Sequence, residues 1–130
     1  MPRVILAATC VALSCFAAGP VTAATPQGLL DALQRESAPG DPARGARFFT
    51  SRHGGEWSCA SCHTEKPVQP GRHAKTDKPI QPLAPAANAE RFTDAAKVDK
   101  WFRRNCNDVL NRACSPQEKA DVLAWLLAQK

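Results

Sequence analysis

The stretch "WSCASCH", residues 57–63, decides how the rest of this chain is interpreted. Cys59 and Cys62 bracket two small residues, and His63 follows the second cysteine directly. A C-x-x-C-H pattern is typical of covalent haem attachment. The two cysteines would form thioethers to the edge of the ring, and His63 would lie beneath the iron as its proximal axial ligand. We therefore predict one covalently bound haem c.

Two other kinds of site share part of this pattern. A structural zinc site needs more ligands, and the sequence contains no second C-x-x-C or H-x-x-x-H pair. A thioredoxin-like dithiol needs a preceding strand in a βαβ unit, and no such alternation is visible. Haem attachment is the stronger interpretation.

The N-terminal segment has the parts of a secretory signal peptide. A positive charge is followed by an uncharged apolar run over residues 4–18, and "VTA" at 21–23 fits the small-x-small cleavage pattern. The apolar run is too short to span a bilayer comfortably. We predict that residues 1–23 are removed, with cleavage after Ala24 as the second choice. Residues 24–130 then form one domain.

Export has consequences for location and partners. The formal net charge of the full chain is only +5, its basic residues are dispersed, and no aromatic-plus-basic motif is present. These features argue against nucleic-acid binding. No later segment is apolar enough to cross a membrane, so we expect a periplasmic protein without stable membrane insertion after signal cleavage.

Helical periodicity dominates the rest of the chain and predicts an all-α fold. Asp41 followed by Pro42 is a helix start, and Ser115 with Glu118 forms a capping box. A third helix begins at Thr93 or Asp94. Glycine costs about 1 kcal/mol in a helix relative to alanine. Gly45 in "DPARGARFFTS" therefore suggests a close helix–helix crossing.

Residues 64–92 are proline-rich and look irregular. Two near copies lie within them, "KPVQP" at 66–70 and "KPIQP" at 78–82. Two copies are too few for a repeat fold. We predict a pair of similar extended segments that wrap the edge of the haem.

The sixth position on the iron is the open question. Many small cytochromes c place a methionine there, but the only methionine in this chain is Met1. His73 lies in the irregular segment and is one candidate. His53 is weaker, because it comes only six residues before Cys59, on the proximal approach.

A second candidate lies on a predicted helix. Val98, Trp101, Phe102 and Asn105 follow the i, i+3, i+4, i+7 spacing of one helix face, so an amide continues an apolar, aromatic stripe. A buried amide without a partner costs a few kcal/mol. The Asn105 amide would therefore either bind the iron or end the helix by a hydrogen bond to the backbone. His73 remains the alternative candidate for the sixth iron ligand.

Cys106 and Cys114 constrain the chain beyond this helix. Two spare cysteines in an oxidising compartment are expected to pair. One continuous helix would separate them by about 12 Å, whereas a disulfide needs Cα atoms within about 7 Å. The helix must therefore break between them, and Asn107, Asp108 and Asn111 are suitable breakers.

The segment "RFTDAAKVDKWFRRNCNDVLNRACSPQEKADVLAWL", residues 91–126, together with "CASCH", resembles the SHP-type oxygen-binding cytochromes c. These are class I monohaem cytochromes, so the resemblance implies N- and C-terminal helices packed around one haem. It also implies thioethers at Cys59 and Cys62, proximal His63, distal Asn105 and a Cys106–Cys114 disulfide. Trp101 and Phe102 would line the haem pocket.

The ligand pair implied by this resemblance suggests a function. An amide is a hard, weak donor that suits ferric iron better than ferrous iron, so reduction should loosen Asn105 and allow O2, NO or CO to bind. Three functions remain open: an electron carrier, an enzyme that turns over O2 or NO, and a gas sensor or store. We rank the electron carrier first, because no general acid or base is evident above the iron. The resemblance implies c-type or b-type cytochromes as redox partners.

Overall fold

The computed structural model describes residues 24–130, and the predicted signal peptide lies outside the described residues. Helices dominate this part of the chain, and the predicted all-α class is confirmed. The elements are α1 (Pro26–Gln34), α2 (Pro42–Thr50), α3 (Ala60–His63), β1 (Gly71–Arg72), β2 (Pro79–Ile80), α4 (Ala95–Leu110) and α5 (Pro116–Leu127). The two short strands pair antiparallel, which the sequence did not indicate. None of the helices between residues 24 and 130 is long and apolar enough to cross a membrane.

Polar caps fix where the longer helices begin. The Asp41 carboxylate accepts hydrogen bonds from the first turn of α2 at 2.7 and 3.0 Å. Ser115 and Glu118 form the predicted reciprocal capping box of α5. Asp94, rather than Thr93, caps α4. Such caps satisfy N–H groups that have no partner within the helix and stabilise it by about 1 kcal/mol each.

The C-terminal helix α5 lies at the centre of the fold and packs on two neighbours. Its residues 120–124 and Leu126 are buried. One face packs against α1 through Leu30 and Leu123. The other face packs Val122 and Leu126 against Phe49 of α2. This arrangement matches the expected packing of N- and C-terminal helices.

Gly45 allows α2 and α5 to come into backbone contact. A Cβ at this position would overlap the carbonyl oxygen of Asp121 and lie 2.9 Å from the Cβ of Trp125. The predicted close crossing is therefore present. It brings the Phe49 and Trp125 rings to 4.8 Å between centroids.

A buried carboxylate reinforces the same crossing. Asp121 is 5% exposed and receives two hydrogen bonds from the Arg44 guanidinium, each 2.8 Å long. The Asp41 N–H donates a third at 2.7 Å. Burial alone would raise the pKa of Asp121, but the hydrogen bonds from Arg44, Asp41 and Gln117 hold it below its usual value. The carboxylate therefore remains ionised at neutral pH and joins α5 to the start of α2.

The two near copies in the irregular segment adopt different structures. Residues 66–70 form a turn, closed by the Gln69 N–H donating to the Lys66 carbonyl at 2.8 Å. In the second copy, Pro79–Ile80 is strand β2. The prediction of two similar extended segments is wrong for the first copy. Its Pro67 carbonyl accepts hydrogen bonds from Leu83 and Ala84, and this long-range contact overrides the shared local sequence.

The Gly45 contact predicts a strong and local effect of an added methyl group. We expect Gly45→Ala to lower the free energy of unfolding by about 3 kcal/mol, because overpacking at backbone contact cannot relax through side-chain movement. Gly28→Ala in α1 is the matched control, since its Cβ would approach only the Thr25 hydroxyl at 3.0 Å. Denaturant midpoints of the two variants measure the difference. Equal midpoints would mean that the helices are not in contact at Gly45.

Candidate haem site

The C-x-x-C-H motif folds into little more than one helical turn. Cys59 is the N-cap residue of α3, and the His63 N–H donates to the Cys59 carbonyl at 3.1 Å. Residues at i, i+3 and i+4 share one face of a helix. The two thiols and the imidazole therefore lie on the same side, and neither Cys59 nor Cys62 is in a disulfide.

An apolar cluster surrounds the first cysteine. Cys59 packs against Phe49, Val122 and Leu126, with Phe102 from α4 on the same cluster. Burial raises the pKa of the Cys59 thiol to about 11. A dithiol redox centre needs a thiolate with a lowered pKa, so this environment argues against that alternative. It suits the apolar edge of a porphyrin.

His63 is half-buried, and one of its ring nitrogens is buried without a hydrogen-bond partner. Its ring lies 6.2 Å from the Phe49 ring, and its Nδ1 atom has no partner among residues 24–130. Burial, assisted by the positive charge of Arg91, lowers the pKa of His63 to about 4. The imidazole is therefore neutral at pH 7, which is the form that binds a metal.

The other two histidines are engaged in local hydrogen bonds. The His53 Nε2 atom lies 2.8 Å from the Phe48 carbonyl oxygen, and the two rings pack together at 4.4 Å. The His73 Nδ1 atom accepts from the N–H groups of Lys75 and Thr76 at 3.2 and 3.3 Å. Iron binding by His73 would cost both bonds, because neutral imidazole has a single N–H and the Nδ1 atom would then carry it. The His53 Nε2–H donates to its carbonyl, so the Nδ1 atom of His53 is left free and this bond does not exclude a ligand role.

Asn105 occupies the interior of α4 rather than its end. The helix continues to Leu110 and ends at Asn111, which has a left-handed φ of 55°. The alternative of a helix-ending Asn105 is therefore wrong. Its half-buried amide takes part in no hydrogen bond within the described part of the chain. Val98 and Phe102, on the same stripe, are half-buried as well.

Trp101 and Phe102 differ in their surroundings. Phe102 packs against the cluster that includes Cys59. Trp101 is 44% exposed, and the Arg104 guanidinium lies 5.6 Å from its ring centroid. Only Phe102 therefore connects the α4 stripe to the core through protein contacts.

The structure contains the predicted Cys106–Cys114 disulfide, with a Cα–Cα distance of 5.6 Å. The helix breaks between the two cysteines, as expected, and it does so at Asn111. Both cysteines are buried. The bond joins α4, one residue after Asn105, to the start of α5.

Arg91 is a site residue that the sequence did not indicate. Its guanidinium donates to the carbonyls of Pro82 and Gln81 at 2.8 and 2.7 Å. Burial lowers the pKa of Arg91, and its charge acts on His63. No local motif predicts that Arg91 lies near His63, because only the folded chain brings the loop carbonyls and His63 close to its guanidinium.

A hairpin packs against the motif from outside and was also missed. Gly71 lies against the Cys62 carbonyl so closely that a Cβ would overlap it. The Ala74 N–H donates to the Cys62 Sγ atom at 3.3 Å. Gly71, between Pro70 and Arg72, is the one sequence signal of this close approach, because any other residue would place a Cβ against the Cys62 carbonyl.

Comparison with known proteins agrees with this geometry. The chain is 45% identical over 124 residues to cytochrome c-type protein SHP of Cereibacter sphaeroides, covering 90% of this chain and 95% of that protein. The chain belongs to the SHP family of c-type cytochromes. Residues 35–126 also match a family described as "Domain of unknown function (DUF1924)".

Solved structures of relatives support the SHP-family assignment. The structure of oxidised SHP, described as an oxygen-binding cytochrome c, superposes with a TM-score of 0.78 at 44% identity, covering 82% of this chain and 99% of that one. Oxidised cytochrome c'' from Methylophilus methylotrophus gives a TM-score of 0.71 at 36% identity, covering 81% and 94%. Membership of the SHP family implies covalent haem c. The free thiols of Cys59 and Cys62, their apolar surroundings and the neutral His63 imidazole fit that group.

The disulfide predicts a defined loss of stability. Closing a loop between residues eight apart removes unfolded-state entropy worth about 2–3 kcal/mol. We expect the Cys106→Ala/Cys114→Ala double variant to unfold at correspondingly lower denaturant concentration. Thiol titration of denatured, unreduced wild type should find neither of these cysteines reactive. Reactive thiols at both positions would contradict the bond.

Proposed function

We propose that this chain is a periplasmic cytochrome c that transfers electrons through one covalent haem, and that its distal ligand, Asn105, dissociates on reduction so that O2, NO or CO can bind. One observation carries this proposal: the buried His63 Nδ1 atom has no hydrogen-bond partner among residues 24–130. Asn105, on the α4 face of Phe102, is half-buried, and its amide makes no hydrogen bond within the same residues. Buried polar groups are almost always paired, so the unpaired imidazole favours a bound metal, and the free amide is available as a second ligand.

The proximal half of the proposed site is formed by α3. Thioethers at Cys59 and Cys62 would hold the haem edge against the Phe49 cluster. His63 would contribute a neutral ring nitrogen, and its position is restrained by its backbone bond to Cys59 and by packing near Phe49.

The distal half is formed by α4. Asn105 follows Phe102 on the same helix face, and the next residue is held to the start of α5 by the disulfide. Of its rivals, His73 would have to lose two backbone hydrogen bonds, and His53 lies on the proximal approach, six residues before Cys59. Asn105 has no such cost, which favours it as the ligand.

Haem supplies one-electron redox chemistry and a position on iron where a diatomic molecule can bind. The Asn105 carbonyl oxygen is a hard donor, and its attraction to iron weakens when the metal gains an electron. With haem bound and reduced, the Asn105 amide would be free to rotate away, and the side chains next to it on the same helix face would be Phe102 and Val98. The relative SHP is described as oxygen-binding, and a solution structure of cytochrome c'' is described in terms of haem-ligand detachment.

Electron transfer ranks above catalysis and gas sensing because of the residues beside Asn105. Val98, Trp101 and Phe102 on its stripe cannot deliver or accept protons, which reduction of O2 requires. Other c-type or b-type cytochromes would be the electron donors and acceptors. An enzyme that turns over O2 or NO is the alternative, and consumption of gas under continuous reduction would reveal it.

The proposal includes export and processing. Residues 1–23 would direct secretion to the periplasm, and 24–130 would form the haem domain. The disulfide between Cys106 and Cys114 supports this location, because such bonds persist in oxidising compartments.

Covalent attachment predicts that haem stays with the protein after denaturation. Intact-mass measurement should give residues 24–130 plus one haem, and acid–acetone should extract no haem from wild type. The Cys59→Ala/Cys62→Ala variant should release its haem, while Cys106→Ala/Cys114→Ala should retain it. Easy extraction from wild type would disprove the attachment.

Distal ligation by Asn105 predicts a specific response of ferric iron. Removing the amide leaves no internal ligand for imidazole to displace. We therefore expect Asn105→Ala to raise ferric affinity for imidazole by about tenfold or more, since tenfold corresponds to about 1.4 kcal/mol of lost ligand bond. Optical titration measures this. Asn107→Ala, an exposed amide one position beyond Cys106, is the matched control and should behave as wild type.

The rival ligand gives the opposite pattern. If His73→Ala changes the ferric spectrum and Asn105→Ala does not, the haem is bis-histidine and the Asn105 assignment fails. Wild-type ferrous protein should also bind CO at a rate proportional to CO concentration. A rate that saturates would show that a strong internal ligand must leave first.

A further inference from the structure

An apolar groove separates α1 from the first half of α4 and is not explained by the proposed ligands. Its volume is about 150 Å³. Apolar side chains from both helices form most of its lining, and three charged residues complete it. The apolar members include Leu29, Leu33, Val98 and Phe102, and the charged ones are Glu36, Asp99 and Lys119.

Phe102 connects this groove to the proposed haem site. Its ring lines the groove and also packs against the cluster that contains Cys59. Asn105 follows Phe102 by three residues on the same helix face, a rise of about 4.5 Å along the helix. A small molecule in the groove is therefore separated from the distal side by one aromatic side chain.

The walls of the groove can move apart without breaking polar bonds. No hydrogen bond or ion pair within residues 24–130 joins α1 to α4. At one side, the Lys119 ammonium lies 3.5 Å from an Asp99 oxygen and 5.8 Å from the Phe102 ring centroid. Asp99 also pairs with Arg103 at 2.7 Å. These ion pairs neutralise Asp99 and Lys119, the charged lining residues contributed by α4 and α5.

We infer that a diatomic ligand reaches the distal side of the haem through this groove, with Phe102 as the side chain that it must pass. Enclosed apolar cavities of about 150 Å³ bind xenon or benzene, and this groove offers a similar volume that is open to solvent on one side. An apolar lining concentrates uncharged molecules and disfavours ions. This inference rests on the proposed function, since it requires an iron that binds gas.

Neighbouring alanines at the start of α4 provide a matched test. Ala95 lines the groove and Ala96 does not, although both are exposed. Laser photolysis of the ferrous CO form measures association and dissociation in Ala95→Trp, Ala96→Trp and wild type. We expect Ala95→Trp to slow both rates several-fold by the same factor. A blocked route slows passage in both directions, so CO affinity should stay unchanged, and Ala96→Trp should match wild type.

Three results would overturn the inference. Equal CO rates in all three proteins would exclude the groove as the route. A change of CO affinity in Ala95→Trp would show that the indole disturbs the iron site instead. Crystals of wild type pressurised with xenon should show the gas in the groove, and its absence there would count against the inference as well.

Failure of the proposed function has a different signature. Saturation of the CO binding rate in wild type itself would show a strong internal ligand, whatever the groove variants do. Xenon binding does not depend on iron, so it tests the groove independently of Asn105.

Discussion

The backbone contact between α2 and α5 is the constraint on which the rest of the structure depends. Gly45 permits it, and the Arg44–Asp121 pair holds it in register. Because the helices touch there, Phe49 is pressed against Val122 and Leu126. Burying each such side chain stabilises the fold by about 1.5–3 kcal/mol. The same cluster forms the surface on which the C-x-x-C-H turn rests, so stability and site share one set of contacts.

The distribution of hydrogen-bond partners separates structural from functional polar groups. His53 and His73 are each satisfied by nearby backbone. The His63 Nδ1 atom is buried and has no partner among residues 24–130, and the half-buried Asn105 amide makes no hydrogen bond within them. A fold that left the buried His63 atom unpaired without a ligand would lose free energy there. The contrast with His53 and His73 therefore favours His63 as the functional histidine.

Features set by local chemistry could be predicted from the sequence, and features set by distant contacts could not. The caps at Asp41 and Ser115 depend on residues within one helical turn. Gly45 indicated a close helix crossing because glycine lowers helix stability, although it did not show which helix would pack there. The maximum Cα–Cα distance of a disulfide required a break in α4, but it did not fix the break at Asn111.

Long-range contacts account for what was missed. The different structures of residues 66–70 and 78–82 arise because Pro67 accepts hydrogen bonds from residues far along the chain. Arg91 reaches the site only after its loop has folded over Gln81 and Pro82. Within the candidate site, the motif predicted Cys59, Cys62 and His63. The proposal of Asn105 needed the resemblance, because an amide on an apolar stripe has several local explanations.

The disulfide beside Asn105 would have a consequence for how the proposed amide ligand competes with other ligands. Because Cys106 is tied to Cys114, the backbone that carries Asn105 would stay in place if its side chain rotated away from iron. A tethered group acts as if it were present at high effective concentration, in the millimolar range (about 10⁻³ M) for short flexible tethers. Under the proposed ligation, Asn105 on its helix would therefore reoccupy ferric iron against more dilute competitors although an amide is a weak donor. The tether would raise occupancy of both oxidation states alike, so the preference for ferric iron would come from the hard amide oxygen.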